Sequence, residues 1–190
     1  MKKGPQIIIG LGNPGAEFEN TYHNAGVLAV EHLAQKLENG EWRMENGWKT
    51  HKKLFDYSSP LPARLPTLIL IRPLTFMNES GLAAKEALKK FRAAPENLTI
   101  IHDDSDLALG EFKITRGQNS AGHKGVQSVI DHLGTKEFGR IKIGIREQET
   151  KNGERRQKAE EFVLKQIKPK DRKILEDVFG KIAAILSTQA

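Results

Sequence analysis

The stretch Ile7-Ile-Ile-Gly-Leu-Gly-Asn-Pro-Gly15, followed by Thr21-Tyr-His-Asn-Ala-Gly26, decides how the rest of the chain is read. A short β-branched run closed by glycine has the pattern of a buried strand, so a strand is expected over residues 6–11. Apolar residues at 27, 28, 30, 33, 34 and 37 then form a helical stripe from Asn24 or Ala25 to Leu37, with Asn24 as its expected N-cap. Taken literally, Gly10-Leu-Gly-Asn-Pro-Gly15 also fits the dinucleotide fingerprint G-x-G-x-x-G. In that fingerprint a helix starts at once and its amides seat a pyrophosphate. Here Pro14 removes one amide donor, and the helix begins well after Gly12. No acidic residue ends a short second strand at the expected distance. The match is read as incidental.

Outward from this stretch, strands and helices alternate without internal repeats. Leu54 to Ser58 reads as a modest strand, and Thr67-Leu-Ile-Leu-Ile-Arg72 as a strongly apolar one stopped by Pro73. Ser80 is expected to cap a helix that ends before Pro95. Leu98 to His102 is a third buried strand, with Asp103-Asp-Ser-Asp106 beyond its end, and Glu111 to Arg116 reads as an edge strand. The small-residue loop Gly117 to Gly125 leads into a helix capped by Gly134, and Arg140 to Ile145 is a further strand. Residues 146–158 are a charge run read as a mobile loop. Pro169 opens a last amphipathic helix with Ile174, Leu175, Val178, Phe179, Ile182, Ile185 and Leu186 on one face. This alternation predicts an α/β fold: a single three-layer domain over residues 1–190, with a twisted, mostly parallel mixed sheet and helices on both faces. Working residues of such sheets gather beyond the carboxyl ends of the strands. Asn13, Asn78 and Asp103 occupy such places.

Composition narrows the chemistry. A chain of 190 residues buries roughly 70% of its unfolded surface in one domain. It has no cysteine, which excludes disulfides, thiol catalysis and Cys-based zinc sites. No apolar run reaches membrane-helix length, and the N-terminus lacks the apolar core of a signal peptide, so no membrane is expected and the location is expected to be cytoplasmic. With 30 Lys+Arg against 24 Asp+Glu, the net charge of +6 favours a polyanionic partner or a generic basic surface.

Four site chemistries fit the residues. His23 on a short connection can act as a base if Asp103 accepts from one ring nitrogen and fixes the tautomer; the plainer reading is a surface His and a helix-capping Asp. Asp103, Asp104 and Asp106 could instead hold Mg²⁺ in a metal-dependent phosphoesterase, although Asn13 and Asn78 stand where further ligands are needed. There is no nucleophile elbow, so a water activated by His23 is the simpler attacking group, with Asn78 binding that water or the oxyanion, or merely capping a helix. The Gly117–Gly125 loop, with His123 and Lys124, makes a phosphate seat at a helix start or a close-packing loop.

Together, Gly10–Gly15, Thr21–Gly26, Pro73-Leu-Thr-Phe-Met-Asn-Glu-Ser-Gly81, His102–Leu107 and Ser120-Ala-Gly-His-Lys-Gly125 resemble the bacterial-type peptidyl-tRNA hydrolase family over nearly the whole chain. The resemblance implies an esterase that cleaves the peptide from tRNA in peptidyl-tRNA released from stalled ribosomes, without metal or organic cofactor, and a monomer. It implies that His23 is the general base, that Asp103 holds it in its basic form, that Asn78 binds substrate and water, and that Asn13 contacts the peptide backbone. Phe18, where the family commonly has Tyr, and Phe76 are implied substrate contacts, and His123 is placed among the substrate-binding residues. Lys124 departs from the usual Asn of this block; as a cation it can pair with a phosphate, with Asp103 or with another carboxylate, but cannot accept a hydrogen bond. Lys113, Arg116, Lys124 and Arg140, with Lys142 beside them, are the expected tRNA-facing cations. The rival is a catalytically inactive RNA-binding relative.

Overall fold

A computed structural model describes residues 4–38, 47–58, 68–146 and 158–189. The expected charge run at 146–158 and the connector at 59–66 lie almost wholly outside these residues. Seven strands form one mixed sheet: β1 (Gln6–Gly10), β2 (Trp48–His51), β3 (Phe55–Ser58), β4 (Leu68–Pro73), β5 (Leu98–Ala108), β6 (Phe112–Arg116) and β7 (Gly139–Arg146). Their spatial order is β2-β3-β4-β1-β5-β7-β6. The central strands β4, β1, β5 and β7 run parallel, while β2, β3 and β6 are antiparallel to their neighbours.

The apolar runs are continuous because both faces of the central strands are covered. Ile8, Leu68, Leu70 and Ile101 pack with helices α1 (Ala25–Glu38) and α5 (Pro169–Gln189) on one face. Ile7, Ile9, Ile69, Ile71 and Ile100 pack with α2 (Ser80–Phe91) and α3 (Lys124–Leu133) on the other. One short helix, α4 (Ala159–Phe162), precedes α5. Among the described residues no helix is long and apolar enough to cross a membrane.

The glycines of the opening stretch serve close approach. A Cβ on Gly10 would lie 2.2 Å from the Gly26 carbonyl oxygen, and one on Gly26 would lie 2.2 Å from that of Ile101. Only with hydrogen at both positions can α1 start directly against β1 and β5. That contact sets the turn Tyr22–Asn24, and with it His23, beside the sheet.

Several local expectations are corrected. Strand β5 does not stop at His102: Asp103 and Asp104 pair with Ile143 and Gly144 of β7, so the aspartates lie within the strand. Strand β2 was not anticipated, because its residues are polar. Ser80 does not cap α2; its hydroxyl donates to the Met77 carbonyl, and Asn78 makes no side-chain cap either. Ile174 is exposed, outside the buried face of α5 formed by Leu175, Val178, Phe179 and Ile182.

Candidate active site

A cavity of about 560 Å³ opens beyond β1 and β4 and along the far half of β5. Asn13, His23, Asn78, Asp103, His123 and Lys124 all line it.

At its floor, Asp103 is buried and its Oδ1 receives two imidazoles: His23 Nδ1 at 2.9 Å and His123 Nε2 at 3.0 Å. His123 Nδ1 accepts from the Val126 amide at 3.3 Å, capping α3. A backbone amide can only donate, so His123 carries its proton on Nε2 and gives it to Asp103. An ionised carboxylate only accepts, so His23 donates from Nδ1 and keeps a lone pair on Nε2. Burial alone would raise the Asp103 pKa, but the interactions with His123 and His23 outweigh it and hold the carboxyl well below its ordinary range. One oxygen thus sets the tautomer of two rings.

The turn carrying His23 is fixed from outside the sheet. The His23 amide donates to the Val163 carbonyl at 2.8 Å and the Tyr22 amide to that of Lys165 at 3.2 Å. The Tyr22 ring stacks on Phe162, and its hydroxyl bonds Asp171 of α5. Nothing in the sequence signalled this strap, because its contacts are backbone groups distant in the chain.

Asn24, expected as a helix cap, instead clamps Asn13: its Oδ1 accepts the Asn13 amide at 2.8 Å and its Nδ2 donates to the Asn13 carbonyl at 3.0 Å. The Asn13 Oδ1 accepts the Met77 amide at 2.8 Å, which leaves its Nδ2 as the donor available to the cavity. Asn78 is an exposed residue at the rim. Phe18 and Phe76 meet edge to face, with centroids 6.5 Å apart, outside the cavity lining. Glu160, Val163 and Leu164 also line the cavity, and no motif or spacing marks them.

Lys124 pairs with Glu160 at 3.6 Å, so of the partners expected for it another carboxylate is the one present, not Asp103. The phosphate seat expected at the start of α3 is partly occupied, since His123 takes the Val126 amide. Arg140 is not tRNA-facing: it is buried over the Phe138 ring and donates to the Gln118 and Asn119 carbonyls. Lys142 is mostly buried and pairs with Asp104 at 3.1 Å. Lys113 and Arg116 are exposed, although Arg116 also donates to the Glu96 and Glu137 carbonyls. Asp104, Asp106 and Asp103 do not converge as a Mg²⁺ site: Asp104 turns to Lys142 and to the Asp106 amide. Among the described residues, the one group with metal-ligand proximity is His23, Asp103 and His123, whose donor atoms lie within 4.8 Å of one another. Their nitrogens stand at hydrogen-bond distance from the shared carboxylate oxygen.

Beneath His123 lies His102, buried, with its ring 4.7 Å from the His123 ring. Its Nδ1 donates to the Asp103 carbonyl at 2.7 Å. Burial first, then His123, pushes its pKa down to about 3. Between that value and the ordinary 6.5 the unfolded chain binds a proton that the folded chain refuses, so stability rises with pH in this window. Acidification from pH 7.5 to 5.0 is expected to cost about 2 kcal/mol through this group. Urea unfolding should show that loss in wild type and a flatter dependence in His102→Gln. Identical slopes would contradict it.

This geometry defines a class: an α/β enzyme whose solvent-facing imidazole is oriented by a buried carboxylate. A sequence model of the family described as Peptidyl-tRNA hydrolase matches residues 7–190. The peptidyl-tRNA hydrolase of Thermodesulfovibrio yellowstonii is 42% identical over 151 residues, covering 73% of this chain and 71% of its own length. That of Prochlorococcus marinus is 35% identical over 177 residues, covering 93% and 83%. The crystal structure of peptidyl-tRNA hydrolase from Acinetobacter baumannii superposes with a TM-score of 0.78 at 26% identity, covering 97% of this chain and 87% of that one. The chain belongs to the peptidyl-tRNA hydrolase family.

Proposed function

We propose that His23 is the general base in this chain's reaction, hydrolysis of the ester bond between peptide and tRNA in peptidyl-tRNA. The observation that carries this is the pair of imidazole contacts on Asp103 Oδ1, which leaves the His23 Nε2 lone pair for a water in the cavity. Nε2 takes a proton as that water's oxygen attacks the ester carbonyl, and Asp103 stabilises the imidazolium. The negative charge that develops on the carbonyl oxygen is met by amide donors from Asn13 Nδ2 and Asn78. The intermediate collapses by breaking the bond to the ribose oxygen, which takes the proton from His23. Free peptide and tRNA leave.

Phe18 and Phe76 supply an aromatic edge for the RNA end beside this centre; Lys124 lines the cavity, and Lys113 and Arg116 are exposed cations on β6 for the tRNA backbone. His123 acts as the second ring on Asp103. We take residues 1–190 to be one domain of this kind, acting as a cytoplasmic monomer; light scattering showing a stable dimer would correct the last point.

Wild-type protein is expected to turn over N-blocked aminoacyl-tRNA, undiminished by EDTA, and His23→Ala to lose about 10²- to 10⁴-fold in kcat. Equal RNA binding with no turnover in either protein would establish the inactive RNA-binding reading. Loss of activity in EDTA restored by Mg²⁺ would overturn the metal-free mechanism.

A further inference from the structure

We propose that the surface formed by the β2–β3 hairpin and the outer side of α2 docks the phosphate backbone of the substrate tRNA beyond its aminoacyl end. This inference rests on the hydrolase reading above.

Residues 47–58 and 80–94 hold seven basic residues against two acidic ones, in a chain whose whole net charge is +6. Both acids are already engaged: Asp56 is buried and paired with Arg72 at 2.9 Å, and Glu86 takes Lys52 at 2.7 Å and His51 at 3.2 Å. Glu86 also joins the hairpin to α2, so the two segments form one surface. Along α2, Lys85, Lys89 and Arg92 are exposed at one-turn spacing, with no ion-pair partner among the described residues. Lys49 stands opposite Tyr57, whose ring packs on Phe91 of α2, so it faces the same side.

The hairpin tip adds a second observation. Lys52 and Lys53 have φ of 49° and 56°, and the Leu54 amide closes the turn on the His51 carbonyl at 2.9 Å. The connection is three residues long, Lys52-Lys53-Leu54, and positive φ at its first two positions favours Asn or Gly. Here two lysines occupy them, and strained backbone that displays charge marks a place where charge is used.

By contrast, the cations first expected to face tRNA are partly spent. Arg140 is buried, and Lys124 and Lys142 are ion-paired. The hairpin and α2 therefore carry the larger unpaired positive field. Helix α2 starts from the turn bearing Asn78 at the cavity rim and rises about 1.5 Å per residue, so Arg92 lies roughly 20 Å along from it. An RNA whose reacting nucleotide sits in the cavity would lay its further phosphates along this face, and counterion release would make the contact salt-dependent.

The test compares the intact wild-type chain with the triple variant K85Q/K89Q/R92Q, first confirming equal thermal unfolding. Substrates are N-blocked aminoacyl-tRNA and a short oligonucleotide carrying the same ester. For tRNA, KM is expected to rise about tenfold at low salt with kcat unchanged, and the slope of log kcat/KM against log salt to become shallower by about two to three. The short substrate should be unaffected. An unchanged KM and slope on tRNA, an equal loss on the short substrate, or loss of binding to anionic lipid vesicles alone would each overturn the proposal. A wild type without turnover would bring down the general-base reading and this inference with it. A fully active wild type beside an unaffected triple variant brings down this inference alone.

Discussion

Replacing Asp103 with asparagine is expected to lower kcat for N-blocked aminoacyl-tRNA by about 10³- to 10⁴-fold, with a much smaller change in KM. The side chains are nearly equal in volume, so packing against β7 survives and the loss is electronic. In the native site one ionised oxygen accepts from His23 Nδ1 and His123 Nε2 together. An amide has one accepting and one donating end, so it cannot reproduce this for both rings. If its NH₂ meets His23, the imidazole must turn its lone pair inward to Nδ1 and carry the proton on the water-facing nitrogen, which is the wrong tautomer for a base. The imidazolium formed during attack also loses its counter-charge. Steady-state kinetics of a folded Asp103→Asn protein provide the check; a loss below about tenfold would mean that Asp103 does not orient the base.

The second large effect falls on folding. Gly26→Ala is expected to destabilise the chain by about 3 kcal/mol or more, lowering Tm by roughly 6–12 °C. The new Cβ would meet the Ile101 carbonyl oxygen at 2.2 Å, the Leu11 amide nitrogen at 2.6 Å and the Leu11 carbonyl oxygen at 2.7 Å. All three are backbone atoms of the central strands or their continuation, so no side chain can swing away to relieve the overlap. Helix α1 would have to back off from β1 and β5, and the turn holding His23 would move with it. Thermal unfolding together with turnover measures both consequences, and a variant with wild-type Tm would contradict this view of the crossing.

Periodicity made the architecture readable where a strand is buried on both faces or a helix has one apolar stripe. It recovered β1, β4, α1 and α3 to within a residue or two. It failed where tertiary pairing overrides local preference. Asp103 and Asp104 are poor strand formers, yet β7 extends β5 through them, which places the carboxylate inside the sheet and not in a loop after it. The polar strand β2 is held by pairing with β3. At the site, the His23–Asp103 pair is readable from residue type and position and sharpened by the family resemblance, and the structure places the two side chains in contact. His123, expected among the substrate-binding residues, lines the cavity and also donates to Asp103, with the 117–123 loop held by the buried Arg140. Side-chain to backbone clamps such as Asn24 on Asn13 have no sequence period, and a capping residue type is equally suited to them.

The opening glycines likewise acquire a function that no motif scan reports, as the contact that lets a helix start against two strands. What they position is the His23 ring, whose tautomer is selected by its contact with Asp103. Long-range ¹H–¹⁵N NMR of the histidine rings at neutral pH measures this choice directly. His23 is expected to be protonated on Nδ1 with an unprotonated Nε2, and His123 to be protonated on Nε2. A His23 ring carrying its proton on Nε2 would contradict this assignment.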